Sequence, residues 1–198
     1  MMLDQVRLEV SAKIDRSRRS AFGQFMTPSS VARFMANLFP ASPHKTARLL
    51  DAGAGVGSLL GAFLDRWGQG DFSFRHVEVT AYEIDDILRD RLSHTLAHYA
   101  GKLDIGAEVL GTDFIEDAVN RIQFQDARRF THAILNPPYK KIASRSRHRL
   151  LLRQTGIEGD GIAWQRLPIL SGQRLVEGSH PRDVRIIPRI LPASRDFH

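Results

Sequence analysis

No cysteine occurs anywhere in the 198 residues. Disulfide staples, thiolate zinc sites and cysteine nucleophiles are therefore outside this chain's chemistry. No apolar run approaches the length that crosses a bilayer, and no basic n-region with an apolar h-region opens the sequence. The expectation is a cytoplasmic protein with no membrane partner, long enough for one domain with a proper core. Positive charge is also missing where it might have been sought. Residues 1–138 carry 16 Lys and Arg against 17 Asp and Glu, a net of −1, whereas residues 139–198 carry 12 against 5, a net of +7. The overall charge of +6 belongs to the C-terminal segment, not to the part that carries the motifs.

The most informative stretch is Asn136-Pro137-Pro138-Tyr139, preceded by the apolar run Ala133-Ile134-Leu135 and followed by Lys140 and Lys141. Consecutive prolines cannot donate ladder hydrogen bonds, so a buried strand must end there and give way to a rigid loop. A carboxamide, a fixed carbonyl and an aromatic ring are thereby held together at the end of a strand. The amide oxygen of Asn136 and the carbonyl of Pro137 could accept two hydrogen bonds from an exocyclic amine, while Tyr139 stacks on the attached ring. The plainer alternative is a proline pair that only ends a strand.

Upstream, apolar residues at helical spacing (Leu3, Val6, Val10, Ile14) predict a helix from about Leu3 to Ile14. After a basic stretch, Gly23-Gln24-Phe25-Met26-Thr27-Pro28 leads into a second helix, with Thr27 as N-cap and Pro28 as first helical residue. Val31, Phe34, Met35 and Leu38 supply its apolar face, and Pro40 closes it. A helix start is the simpler reading of Thr27-Pro28; free amides offered to a carboxylate is the other.

Next, the apolar strand Arg48-Leu49-Leu50-Asp51 runs into Ala52-Gly53-Ala54-Gly55-Val56-Gly57-Ser58, then into a helix with apolar Leu59, Leu60, Phe63, Leu64 and Trp67. Such glycines permit sharp turning and close approach of a ligand to the backbone. The dinucleotide fingerprint would need its third glycine at Ser58, so the spacing argues against a pyrophosphate cradle and towards an adenosine–amino-acid ligand.

Val77 to Asp85 alternates like a strand and ends with Glu83-Ile84-Asp85, where doubly wound folds place the carboxylate that binds ribose hydroxyls. Asp85 or Asp86 would cap a helix with apolar Leu88, Leu92, Leu96 and Tyr99, ended by Gly101. His94 and His98 lie one turn apart on it, but no acidic ligand accompanies them; a solvated face is the better reading, and no metal is expected. A third strand is predicted over Ala107–Phe114. Asp113 could accept from an adenine amine with Phe114 on the ring, or could simply cap the next helix, Ile115 to Ile122, ahead of a core phenylalanine. The strand Phe130 to Leu135 then delivers the Asn-Pro-Pro-Tyr motif.

Four strands separated by helices imply an α/β fold with a doubly wound parallel sheet, its functional groups at the strands' C-terminal ends. Gly53 to Gly57, Glu83, Asp113 and Asn136 all fall at such ends. With these residues assembled, the chain resembles the S-adenosylmethionine-dependent DNA adenine-N6 methyltransferases, whose Rossmann-like class I fold is then expected. The order Phe25-Met26-Thr27-Pro28, glycine loop, Asn-Pro-Pro-Tyr is similar to the gamma arrangement, and the likeness covers roughly Gly23 to Lys141. The resemblance implies that Thr27 and Pro28 help hold the methionine part of S-adenosylmethionine. It gives Asp51, Gly53, Gly55 and Gly57 to the cofactor loop, and Glu83, with Ile84, to the ribose edge. Asp113 and Phe114 would meet the cofactor's adenine, and Asn136, Pro137, Pro138 and Tyr139 a flipped target adenine in DNA. A restriction-modification context, with a restriction endonuclease subunit as a possible partner, is implied by the resemblance only.

The likeness leads to three segments: 1–22, helical; 23–141, the S-adenosylmethionine-binding methyltransferase domain; and 142–198, basic and atypical or poorly structured. Methyltransferases of this fold continue for three more strands, yet after a helical continuation to about Glu158 no element is evident beyond Gly159. The expectation is therefore a truncated family member whose C-terminal strands are incomplete or missing, its last forty or so residues read out of the ancestral frame. A basic tail that grips phosphates is the competing view. Competing functions are a protein glutamine methyltransferase, which also uses Asn-Pro-Pro-Tyr, a non-catalytic nucleic-acid-binding fragment and, last, a nicotinamide-dependent oxidoreductase.

Overall fold

The computed structural model of the chain describes residues 27–42, 44–124, 129–136, 147–154 and 185–186. In chain order these hold α1 (Ser29–Asn37), β1 (Thr46–Ala52), α2 (Ser58–Gly68), β2 (His76–Tyr82), α3 (Asp86–Ala100), β3 (Ile105–Leu110), α4 (Phe114–Gln123), β4 (His132–Ala133), α5 (Arg147–Gln154) and β5 (Arg185–Ile186). The strands form one parallel sheet in the order β3-β2-β1-β4-β5. Strand order reverses beside β1, at the β1–β4 boundary, the place where open α/β sheets take their ligands.

Strand alternation divides the core into two layers. Leu49, Val77, Val79, Ala81 and Ile134 face α1, α2 and α3, while Leu50, Ala52, Tyr82, Ala133 and Leu135 face α4 and Leu151 of α5. Centrally buried β1 and β2 can be apolar on both sides; β3, at the sheet edge, exposes Gly106, Ala107 and Glu108. Phe63 of α2 is fully buried, stacked on Phe72 and Phe74 at 5.1 and 6.2 Å and edge-on to Phe39 at 5.2 Å. His132 of β4 sits in the same aromatic nest.

Several expectations require correction. Thr27 does not cap α1: Pro28 occupies the N-cap position and no side chain caps it. The buried stripe of α1 is Ala32, Met35 and Ala36, whereas Phe34 and Leu38 are exposed. Small residues let α1 lie close on α2, and Arg66 of α2 locks the contact by donating Nη1 to the carbonyls of Ala36 and Phe39 at 2.7 and 2.6 Å. β3 ends at Leu110, so Asp113 belongs to the cap of α4, not to a strand. Beyond Gly159 there is an element after all: β5 pairs Arg185 with His132 and Ile186 with Ala133. Parallel pairing needs only backbone and two residues, too short a stretch to leave a periodicity in sequence. The predicted helix over Leu3 to Ile14 lies outside the described residues.

Candidate active site

The three glycines that turn β1 into α2 all have left-handed backbones, with φ of 83° at Gly53, 59° at Gly55 and 85° at Gly57. Their surroundings differ. A Cβ on Gly57 would come within 2.9 Å of Leu92 Cδ1, because α3 packs directly on that turn, whereas a Cβ on Gly53 or Gly55 would enter open space. The first two glycines thus leave a concavity at the backbone, and the third admits α3. The loop is held by three braces. The amides of Gly53 and Ala54 both donate to the Tyr82 carbonyl at 2.9 Å. Thr95 of α3 donates its hydroxyl to the Val56 carbonyl at 3.0 Å. The Gly55 amide donates to Glu83 Oε2 at 2.8 Å.

Glu83, one residue past β2, also accepts from the Asp85 amide through Oε1 at 2.9 Å. Burial raises its carboxyl above the usual range, and these two amide donors pull against that shift. Asp85 then caps α3 through Oδ1, accepting from the amides of Ile87 and Leu88. Ile84, between the two acids, is largely exposed at the rim.

Asp51 is the anomaly of the site. It is fully buried at the C-terminal end of β1, and among the described residues neither carboxylate oxygen has a hydrogen-bond partner. Burial pushes its carboxyl well above the ordinary aspartate range, and the nearby Glu83 carboxylate adds to the shift. Buried polar groups are almost always satisfied, so a fully buried carboxyl without a partner among the described residues is unusual, and it stands directly behind the glycine turn.

Asn136 reaches the same edge from β4. Leu49 pairs with His132, Leu50 with Ala133, and the Ile134 amide donates to the Leu50 carbonyl at 3.0 Å. Asn136 follows three residues after β4, as Gly53 follows directly after β1, so both stand past the C-terminal ends of these paired strands. Asn136 Nδ2 donates to Thr27 Oγ1 at 2.9 Å, which joins the start of α1 to the end of β4. Thr27 is itself buried. Asp51, Gly53, Gly55, Glu83, Thr27 and Asn136 are therefore brought to one edge, at the switch point.

The remaining expected residues stand at helix starts or lie outside the described residues. Asp113 caps α4 through Oδ1, accepting from the amides of Ile115 and Glu116, and its Oδ2 lies 3.3 Å from His148 Nε2 of α5. Phe114 is buried edge-on to Tyr82 at 5.1 Å in the second core layer. Pro28 forms the N-cap of α1. Pro137, Pro138 and Tyr139 lie outside the described residues. His94 is exposed with Asp90 at 3.8 Å, and among the described residues no group of three His, Asp or Glu could hold a metal ion. Sequence reasoning missed Thr95, whose partner on the glycine loop is 39 residues away, and the Thr27–Asn136 contact, which spans 109. Neither pair leaves a local signature.

Comparison with known proteins fits this geometry. Over 162 residues the chain is 44% identical to the Type II methyltransferase M.BsuBI of Bacillus subtilis, covering 79% of this chain and 32% of that protein. Over 170 residues it is 34% identical to the Type II methyltransferase M.PstI of Providencia stuartii, covering 82% of this chain and 32% of that one. The chain thus spans about a third of the length of these relatives. Among solved structures, a Listeria monocytogenes protein assigned to the class I S-adenosylmethionine-dependent methyltransferases superposes with a TM-score of 0.51 at 17% identity, covering 73% of this chain and 42% of that one. No protein-family model matches. Over the segment it shares with them, the chain is a relative of the Type II methyltransferases, folded as a class I S-adenosylmethionine-dependent methyltransferase.

Proposed function

We propose that the chain carries the cofactor-binding and base-binding half of a DNA methyltransferase that methylates N6 of adenine with S-adenosylmethionine. The observation that carries this reading is the left-handed glycine turn at Gly53 and Gly55, open above its backbone and braced by Glu83, at the same strand ends that carry Asp51 and Asn136. S-adenosylmethionine, when bound, supplies an electrophilic methyl group on a positively charged sulfur, together with an ammonium. The residues present fit such a ligand: Gly53 and Gly55 leave the backbone approachable, with the Asp51 carboxyl buried directly behind them. Glu83, steadied by the Gly55 and Asp85 amides, keeps further lone pairs for ribose hydroxyls. Ile84 offers exposed apolar surface at the rim. Asp113 and Phe114 serve the adenine pocket from its wall: Asp113 by holding the start of α4, Phe114 by packing beneath Tyr82.

Asn136 accepts one amine hydrogen of the target base, and the carbonyl of Pro137 accepts the other. Adenine's amine is a poor nucleophile because its lone pair is delocalised into the ring. Holding both hydrogens favours a pyramidal nitrogen that can attack in line, so Asn136 and Pro137 act by positioning and electrostatic stabilisation. Pro138 fixes the loop and Tyr139 stacks on the extruded base, offsetting part of the roughly few kcal/mol that flipping costs. Residues 23–141 form the working unit, and the likeness to Type II methyltransferases supports DNA as the substrate and a restriction-modification setting. Calorimetry with S-adenosylmethionine, followed by labelled-methyl transfer to duplex DNA with nuclease digestion to identify the modified base, tests the reading. Binding and label in N6-methyladenine are expected. Label in another base, in protein only, or in nothing would overturn it.

A further inference from the structure

The carboxamide of Asn136 can face its substrate in either of two orientations of nearly equal shape. One presents the oxygen, which accepts from an amine; the other presents Nδ2, whose hydrogens oppose those of the amine. Only the first helps the proposed reaction, and nothing in the shape of the side chain selects it. Selection requires a neighbouring group that engages the nitrogen as an acceptor. From the geometry we infer that Thr27 is the positioning residue that makes this selection, by accepting Nδ2 on its hydroxyl and turning the Asn136 oxygen towards the target amine. The inference rests on the base-methylation reading and replaces the cofactor-methionine role that resemblance gives to Thr27.

Three observations support it. Thr27 Oγ1 lies 2.9 Å from Asn136 Nδ2. The hydroxyl is available for this because it does not cap α1, where Pro28 stands at the N-cap. Thr27 is also buried, so water competes poorly for the contact. The platform beneath it is firm: Ala32, Met35 and Ala36 bury α1 against the core, and Arg66 ties its C-terminal carbonyls to α2. Asn136 is anchored from its own side by the backbone bond between Ile134 and Leu50. Two elements, far apart in sequence, thus meet through this hydrogen bond at the reacting edge.

Thr27→Val keeps the shape and removes the acceptor; Thr27→Ser keeps the acceptor. The measurements are S-adenosylmethionine affinity by calorimetry, steady-state methyl transfer to unmethylated duplex DNA, and hydrogen exchange of the Asn136 side-chain amide by NMR. For Thr27→Val, kcat falls about tenfold or more, as misplacement of a reacting group does. Its cofactor affinity stays within about twofold and the Asn136 amide protons lose protection, while Thr27→Ser restores both. Unchanged turnover in Thr27→Val overturns the inference. So does a parallel loss of cofactor affinity, which would return Thr27 to the methionine pocket, or failure of Thr27→Ser to rescue. If the wild-type chain transfers no methyl group to DNA, it is the base-methylation reading that fails, and the amide exchange alone decides whether Thr27 orders Asn136.

Discussion

Asp51 sets a pH signature through its burial beside Glu83. In the unfolded chain its carboxyl titrates near the reference value of about 3.9, whereas in the fold burial and Glu83 hold it well above that. The native state therefore keeps a proton that the unfolded state has lost. The contribution to stability is whole below the unfolded pKa and declines as pH rises towards the folded one. Glu83, raised in the same direction, adds a smaller slope of the same sign. Asp51→Asn should flatten the decline that begins above the unfolded pKa in chemical denaturation and stabilise the free chain at neutral pH by on the order of 1 kcal/mol. Its affinity for S-adenosylmethionine should fall, because an amide nitrogen replaces one of the two acceptor oxygens behind the glycine turn. Stabilisation without loss of affinity would separate Asp51 from the ligand. Glycine substitutions divide along the same line. Gly57→Ala combines left-handed strain with overlap on Leu92 and should cost roughly 2 kcal/mol or more. Gly55→Ala carries only the strain, about 1–2 kcal/mol, but puts a methyl group into the concavity, so its larger effect should be on binding.

Among the elements, α1 is packed on α2 by small residues and tied at its C-terminal end by Arg66. Arg66→Met removes two short donations to Ala36 and Phe39 while keeping the aliphatic stem. A charge-assisted bond contributes about 1.5–3 kcal/mol, so the midpoint of denaturation should drop and the Thr27 end of α1 should loosen with it, read as faster exchange of its amides. The way α1 was misjudged explains what sequence can and cannot deliver here. Helices α2 and α3 were legible because their buried faces are large and periodic: Leu59, Leu60, Phe63, Leu64 and Trp67 on one, Leu88, Leu92, Leu96 and Tyr99 on the other. In α1 the same rule favoured Phe34 and Leu38 as core, yet Ala32 and Ala36 took the buried stripe, since close approach to α2 rewards small residues. The cap on α3 was readable from Asp85 and the following polar residue alone, being a contact two and three residues long. The Asn136–Thr27 contact was not, being tertiary. Asp113 was readable as either cap or ligand; the backbone amides of Ile115 and Glu116 claim one of its oxygens.

For the molecule as a whole, the sheet's far side raises the question of what the C-terminal segment contributes. Its basic character invites a role in gripping DNA, yet residues 159–198 hold six arginines against four acids, a net of only +2. β5 gives the same segment a different part, since Arg185 and Ile186 pair with His132 and Ala133 on the open side of β4. β4 is the shortest of the inner strands and delivers Asn136, so without β5 its backbone groups on that side face solvent. Deleting residues 159–198 should therefore lower the denaturation midpoint and reduce protection of the β4 amides. Loss of two ladder bonds at about 1 kcal/mol each sets the scale. The salt dependence of DNA binding distinguishes the two roles. Were the six arginines each on a phosphate, the slope of log affinity against log salt would shallow by about five. A segment that serves the sheet leaves that slope nearly unchanged while stability falls, and that is the expected result; a shallower slope with unaltered stability would make the segment a phosphate grip instead.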